Sequence, residues 1–181
     1  RIAPECGVCT TAFPCSTLIA CSFNPQVAYE VGMAGGAEVK ENNIAVWLTP
    51  AVNIHRSPLC GRNFEYFSED PLLSGKVTAG ITRGVQSISG NYVTIKHFAC
   101  NNQEGNRNNS NSVVSERALR EIYIKGFEIA VRETVMNVTA EMSGDDFWLM
   151  NSIHFANPRT FADTTNLIDR EYRKSTEDFI Q

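Results

Sequence analysis

The chain has 181 residues, is 43% hydrophobic and carries a formal net charge of −4. That is enough material for one sizeable core, yet it falls short of the ~250 residues typical of a complete (β/α)8 barrel. The acidic balance, with a pI near 5.4, argues against nucleic-acid and anionic-membrane partners, which need a basic face. No apolar run approaches the ~18 residues of a membrane-spanning helix.

The N-terminus, Arg1-Ile-Ala-Pro-Glu-Cys6, has no signal-peptide h-region. The compartment stays open, with the cytoplasm slightly favoured over secretion. Six cysteines stand at positions 6, 9, 15, 21, 60 and 100. Cys6 and Cys9 form a CxxC, which suits a redox pair or half of a zinc site. A zinc site wants a second pair, and His55, His97 and His154 are far apart in sequence. Neither a zinc site nor a redox pair is therefore expected, and the thiols are expected to be unpaired and to pack as small hydrophobes.

Asn24-Pro25 starts a helix, with Asn as N-cap and Pro at the first helical position. Ala28, Val31, Gly35 and Val39 recur at helical spacing, and Asn42-Asn43 closes the element. Ile44-Ala-Val-Trp-Leu48 is a continuous apolar run, as expected of a strand buried on both faces of a parallel sheet. A second helix begins at Asp70-Pro71, with Leu73, Val77, Ile81 and Val85 as its buried stripe, and Gly90-Asn91 is a turn. The strand Tyr92-Val-Thr-Ile95 follows. A third helix starts near Ser115 with Leu119, Ile122, Tyr123, Phe127 and Ala130 on one face. Alternating helices and short buried strands predict an α/β fold with a parallel sheet. Chemistry in such folds lies on loops leaving the C-terminal ends of strands, and the polar segments 49–70 and 96–112 occupy that position.

Segment 49–70 combines Arg56, Arg62, Glu65, Glu69 and Asp70 with Phe64, Tyr66 and Phe67. Planar charged groups for hydroxyls beside aromatic faces for C–H surfaces suit a carbohydrate. The plainer alternative is a solvated loop whose charges pair with one another. Lys96-His97, directly after a buried strand, is the sharper signal, because a lysine there offers up to three directed hydrogen bonds at the strand mouth. Its alternative is a snorkelling lysine next to a histidine satisfied by backbone. Arg107 follows in the next loop, where it could reach the same cavity.

Taken together, NIHRSPLCGRNFEYFSEDPLLSG, KHFACNNQEGNR and VVSERALREIYIKGFEIAVRE resemble the glycoside hydrolase family 3 β-glucosidases. The earlier TAFPCSTLIACSFNPQVAYEVG fits the same family, so the likeness runs over roughly residues 8 to 133. It implies part of a (β/α)8 TIM-type barrel, incomplete at both ends, with 1–133 as the barrel portion and 134–181 as a divergent or rearranged part of the same domain. It also implies hydrolysis of terminal β-linked glucose with retention, acting on a small β-glucoside or oligosaccharide without a metal or organic cofactor. Arg62, Lys96, His97 and Arg107 match the family's ligands of the terminal glucose, and Glu65 is expected to orient Arg62. Asn102, Gln103 and Glu104 are read as scaffolding for their loop.

The match fails where the chemistry should lie. Retaining enzymes of this family use an Asp nucleophile and a Glu acid/base, two carboxyls about 5–5.5 Å apart in retaining glycosidases generally. Neither motif is found. Asp178, in Thr-Glu-Asp-Phe, is only a weak stand-in for the nucleophile, with Asp145 and Asp146 behind it. The rival expectation is a noncatalytic sugar-binding fragment, or a subunit whose carboxylates come from the missing remainder of the enzyme.

Overall fold

The computed structural model describes residues 10–106, 109–135 and 153–155. Their elements run α1 (Ser16–Ala20), α2 (Pro25–Glu41), β1 (Val46–Trp47), a 3-10 turn (Asn63–Glu65), α3 (Pro71–Gln86), β2 (Tyr92–Val93) and β3 (Ile95–Phe98). They continue with α4 (Glu116–Ala118), a π-helical turn (Leu119–Tyr123), α5 (Lys125–Val135) and β4 (Ile153–Phe155). The order and the parallel pairing make this an α/β fold.

Both long helices start as their sequences dictate. Asn24 accepts a hydrogen bond from the Gln26 N–H at 2.9 Å, and Asp70 accepts one from Leu72 at 2.8 Å. Each cap satisfies a donor that a helix start otherwise leaves unpaired, and proline follows where no donor is needed. Asn43 and Gly90 adopt φ of 56° and 85° at the exits from α2 and from the segment after α3. The two helices pack in near backbone contact, because Gly32 lies against the Ile81 backbone and Gly84 against Tyr29 O.

β1 and β2 pair in parallel, Val46 opposite Tyr92 and Trp47 opposite Val93. Hydrogen bonds carry the register past the regular strands: Thr94 N–H to Trp47 O (2.9 Å), Lys96 N–H to Pro50 O (3.0 Å) and Val52 N–H to Lys96 O (2.7 Å). β3 pairs in parallel with β4. The extended run beyond β1 lies alongside β3, and Asn53 follows beside His97.

Two expectations need correction. The first strand is shorter than 44–48, and it is not buried on both faces: Val46 and Trp47 are half-buried and Leu48 is 52% exposed. Among the described residues β1 has a neighbour on one side only. The third helix is not continuous either. A π turn interrupts it at Leu119–Tyr123, and the wider turn shifts the apolar face. Leu119, Phe127 and Ala130 are buried as expected, whereas Ile122 and Tyr123 are half-buried.

The core lies between the sheet and α3, α5 and the π turn. Val77, Ile81 and Val85 meet Val52, Val93 and Ile95 there, and Phe98 meets Phe127 edge to face at 5.1 Å. Glu133 clamps α5 to α3 through Lys76 and, at 3.5 Å, Arg83. The helix Ser16–Ala20 has no counterpart in the sequence reading; its Thr17 hydroxyl donates to Asn63 O and Tyr66 O and so braces the loop above the sheet.

Candidate functional site

The 3-10 turn is what gathers the charges. In such a turn residues three apart eclipse one another, so Arg62, the residue before the turn, and Glu65 stand side by side. Arg62 Nε donates to Glu65 Oε1, and the other oxygen, Oε2, lies 3.3 Å from Lys96 Nζ, which with His97 lies inside β3 and not directly after a strand as expected. Arg62 Nη1 reaches Glu104 Oε1 at 3.6 Å from the next loop. Two cations and two carboxylates, contributed by three segments, thus form one cluster. Its side chains are shielded but not sealed, with Lys96 at 16%, Glu65 at 18% and Arg62 at 21% exposure.

Burial alone would lower the Arg62 pKa. The hydrogen bond and charge of Glu65, with Tyr66 and Glu104 beyond, outweigh it and hold the value above the ordinary one. Tyr66 lies under the cluster, and burial pushes its phenol well up, so it stays protonated. Its hydroxyl donates to Asn101 O at 3.1 Å and accepts from Asn101 Nδ2 at 3.0 Å. The same Nδ2 lies 3.1 Å from Glu104 Oε1. His97 is buried one residue beyond Lys96, its ring edge-on to Tyr66 at 6.2 Å and its backbone held by Asn53.

Of the residues singled out by sequence, Arg62 and Lys96 share one carboxylate, and His97 joins them through Tyr66. Arg107 and Asp178, like Asp145 and Asp146, lie outside the described residues. Glu65 pairs with Arg62 as expected. Glu104 does more than support its loop, since it closes the cluster on the far side of Arg62. Asn102 does act as scaffold, donating to Ile54 O. Asn53 and Asn101 were missed, and only their burial marks them out; Tyr66 and Phe67, read as aromatic faces for a sugar, are instead buried in the fold. A polar cavity of about 300 Å³, lined among others by Arg56, Asn101, Asn102, Gln103, Ser112 and Tyr123, adjoins the cluster through Asn101. Arg62, Lys96 and His97 are not in its lining.

Among the described residues no group of His, Cys, Asp and Glu has the arrangement of a metal site. Cys15 and Cys21 are exposed and unpaired, and Cys60 and Cys100 buried and unpaired.

Known proteins share this stretch of chain. The family model described as glycosyl hydrolase family 3 N terminal domain matches residues 5–145. Beta-glucosidase A of Butyrivibrio fibrisolvens is 66% identical over 133 residues, covering 74% of this chain and 16% of that protein. Beta-glucosidase 3B from Thermotoga neapolitana, solved in complex with alpha-D-glucose, matches with a TM-score of 0.67 and 56% identity over 68% of this chain and 17% of that one. A beta-glucosidase from Paenibacillus barengoltzii gives a TM-score of 0.73 and 44% identity over 85% of this chain and 15% of that one. The chain thus spans only 15% to 17% of the length of these relatives. With the match reaching across most of its length, the chain belongs to glycosyl hydrolase family 3, as part of that family's N-terminal domain.

Proposed function

We propose that this chain is part of the sugar-binding wall of a family 3 β-glucosidase, which removes terminal β-linked glucose with retention of configuration. The carrying observation is the shared carboxylate of Glu65, which holds Arg62 and Lys96 together beside the paired parallel strands. Converging cations on a partly shielded surface suit a polyhydroxyl ligand, each offering directed donors to hydroxyl oxygens. Arg62, Lys96, His97 and Arg107 are the residues we assign to holding the terminal glucose. The parallel pairing supports a (β/α)8 barrel, of which 1–133 would be one portion and 134–181 a divergent part of the same domain. The Asp nucleophile and the Glu acid/base would come from the rest of the polypeptide, the partner this chain requires for bond breaking.

A second reading, a noncatalytic sugar-binding fragment, draws on one sequence observation: no recognisable nucleophile motif accompanies the binding segments, and Asp178 is a poor match. One experiment separates the two. The full polypeptide carrying this chain is assayed on aryl β-glucosides, with glucose binding measured in parallel. Turnover with an anomeric product of retained configuration supports the enzyme; binding without turnover supports the fragment; neither binding nor turnover defeats both.

A further inference from the structure

Arg56 differs from the other arginines. Among the described residues Arg62, Arg83, Arg117, Arg120 and Arg132 each form an ion pair with a glutamate. Arg56 forms none there; its guanidinium carbon instead lies 5.8 Å from the centroid of the Tyr123 ring. The negative face of the ring holds the cation, while the planar fork keeps N–H edges for an oxyanion. Tyr123 is half-buried at the end of the π turn, which makes it a fixed platform. Both residues line the polar cavity of about 300 Å³ beside Asn101, and its lining includes no aspartate or glutamate. The Cys100 thiol in the same wall is kept neutral, because burial pushes it up to about 11. A more open groove on the other side of Arg56 includes Glu69, which forms no ion pair with it.

We propose that this cavity binds a small aromatic acid, its carboxylate on the Arg56 guanidinium and its ring against Val113 and Val114. The volume stands at the low end of ligand pockets, which run from about 300 to 1,000 Å³, and so suits a single substituted ring. Asn102 and Gln103 each donate a side-chain N–H to a backbone carbonyl, that of Ile54 and that of Gly105. Their side-chain oxygens remain as acceptors for a hydroxyl on the ring. A neutral ligand would leave the guanidinium without a counter-charge in this wall, so the lining favours an acid. That acid has two possible origins with the same chemistry. One is a free aromatic acid; the other is the aglycone of an aryl glucoside whose glucose is held by Arg62 and Lys96. The second origin rests on the sugar-site reading above, whereas the carboxylate site itself does not.

The full polypeptide carrying this chain is titrated calorimetrically, at neutral pH and low salt, with 4-hydroxybenzoate and its uncharged near-isostere 4-hydroxybenzamide. The acid should bind roughly tenfold more tightly, and added salt should shrink that advantage. Arg56→Gln should abolish the preference, and Arg56→Lys, which keeps the charge but not the fork, should retain part of it. A merely structural role would lower thermal stability or weaken both ligands alike, without moving their ratio. Equal affinity for acid and amide in the parent, or a preference that survives Arg56→Gln, overturns the proposal. The origin of the acid is read from kcat/KM on 4-carboxyphenyl and 4-carbamoylphenyl β-glucosides. The two phenols leave with unequal ease, so what counts is the change in their ratio on Arg56→Gln. A roughly tenfold fall assigns the site to an aglycone; an unchanged ratio beside acid-selective binding assigns it to a free acid. Turnover of neither glucoside, with acid-selective binding intact, would defeat the glucosidase reading and leave the carboxylate site standing.

Discussion

Lys96 Nζ lies 3.3 Å from Glu65 Oε2, which ties β3 to a turn on a loop that leaves β1. The parallel register puts the two there: Lys96 bonds through its backbone to Pro50 and Val52, so the loop beginning at residue 53 has to rise beside it. Glu65 also holds Arg62, and its carboxylate separates two cations that would otherwise repel.

Replacing that carboxylate should therefore disturb both partners. Glu65→Gln is expected to lower stability by about 1–3 kcal/mol, the cost of leaving partly shielded polar groups without their acceptor. The loss should shrink with added salt, which screens the repulsion left between Arg62 and Lys96. Chemical denaturation at two ionic strengths measures both. A stability equal to the parent at low salt would contradict the bridging role.

Lys96→Ala reports on binding more than on folding. Removing a charged donor should weaken glucose or gluconolactone binding by about 1–3 kcal/mol. Stability should change far less, because the Lys96 side chain lies outside the apolar core. Calorimetric titration showing unchanged affinity would remove Lys96 from the site.

The helix starts were legible because an N-cap followed by proline is a local, chemically specific signal, and Asn24 and Asp70 both act as read. The segments that meet at the site were legible too, through the resemblance they carry. What the sequence did not give is the pairing between segments. Glu104 looks like any loop acid until the fold brings it to Arg62, and Asn53 like any polar residue until the register sets it against His97. The π turn at Leu119–Tyr123 carries no breaker residue, so helical spacing alone predicted an unbroken helix. Leu48 read as buried because it is apolar, yet exposure depends on which elements lie beside β1.

The crossing of α2 and α3 depends on glycine. A Cβ on Gly84 would overlap Tyr29 O, and one on Gly32 would overlap Ile81 O. These obstacles are backbone atoms, which cannot rotate away. Gly84→Ala should thus force the helices apart and cost more than about 3 kcal/mol, in the upper range of single substitutions. Gly61→Ala, at a position with open space around it, is the control and should stay within about 0.5 kcal/mol. Equal midpoints in thermal unfolding of the two variants would refute the close packing.

Cys100 gives the pH-dependent test. Burial pushes its thiol up to about 11 from the ordinary value of 9.0. At pH 8 its thiolate population is then about a hundredfold below that of an ordinary thiol, and thiolate is the reactive form. Iodoacetamide should label exposed Cys15 and Cys21 well before Cys100, read by peptide mapping. The sign for stability follows. The folded state holds this proton more tightly than the unfolded one, so the contribution is whole below about pH 9 and is lost as pH rises towards about 11. Labelling of Cys100 as fast as Cys15 would contradict the shift.

The last prediction concerns the chemistry itself. The 181-residue chain, by itself, should not hydrolyse aryl β-glucosides at a rate typical of retaining glycosidases. The groups proposed to hold the sugar are cations and an imidazole, which cannot supply what a retaining mechanism needs. A nucleophile must attack C1, and an acid must protonate the leaving oxygen; without both, the reaction is not divided into two easier steps. Glu65 and Glu104, the carboxylates of the cluster, are engaged by Arg62 and Lys96, which favours their role as charge partners over attack. Incubation with an activated 2-deoxy-2-fluoroglucoside, which traps retaining enzymes covalently, decides the matter. Mass spectrometry should find no adduct while glucose still binds. A stoichiometric adduct would overturn the prediction and its position would name the nucleophile, with Asp178 the first residue to inspect, then Asp145 and Asp146. If the label appeared on Glu65 or Glu104 instead, the cluster would have to be read as a catalytic centre rather than a binding wall.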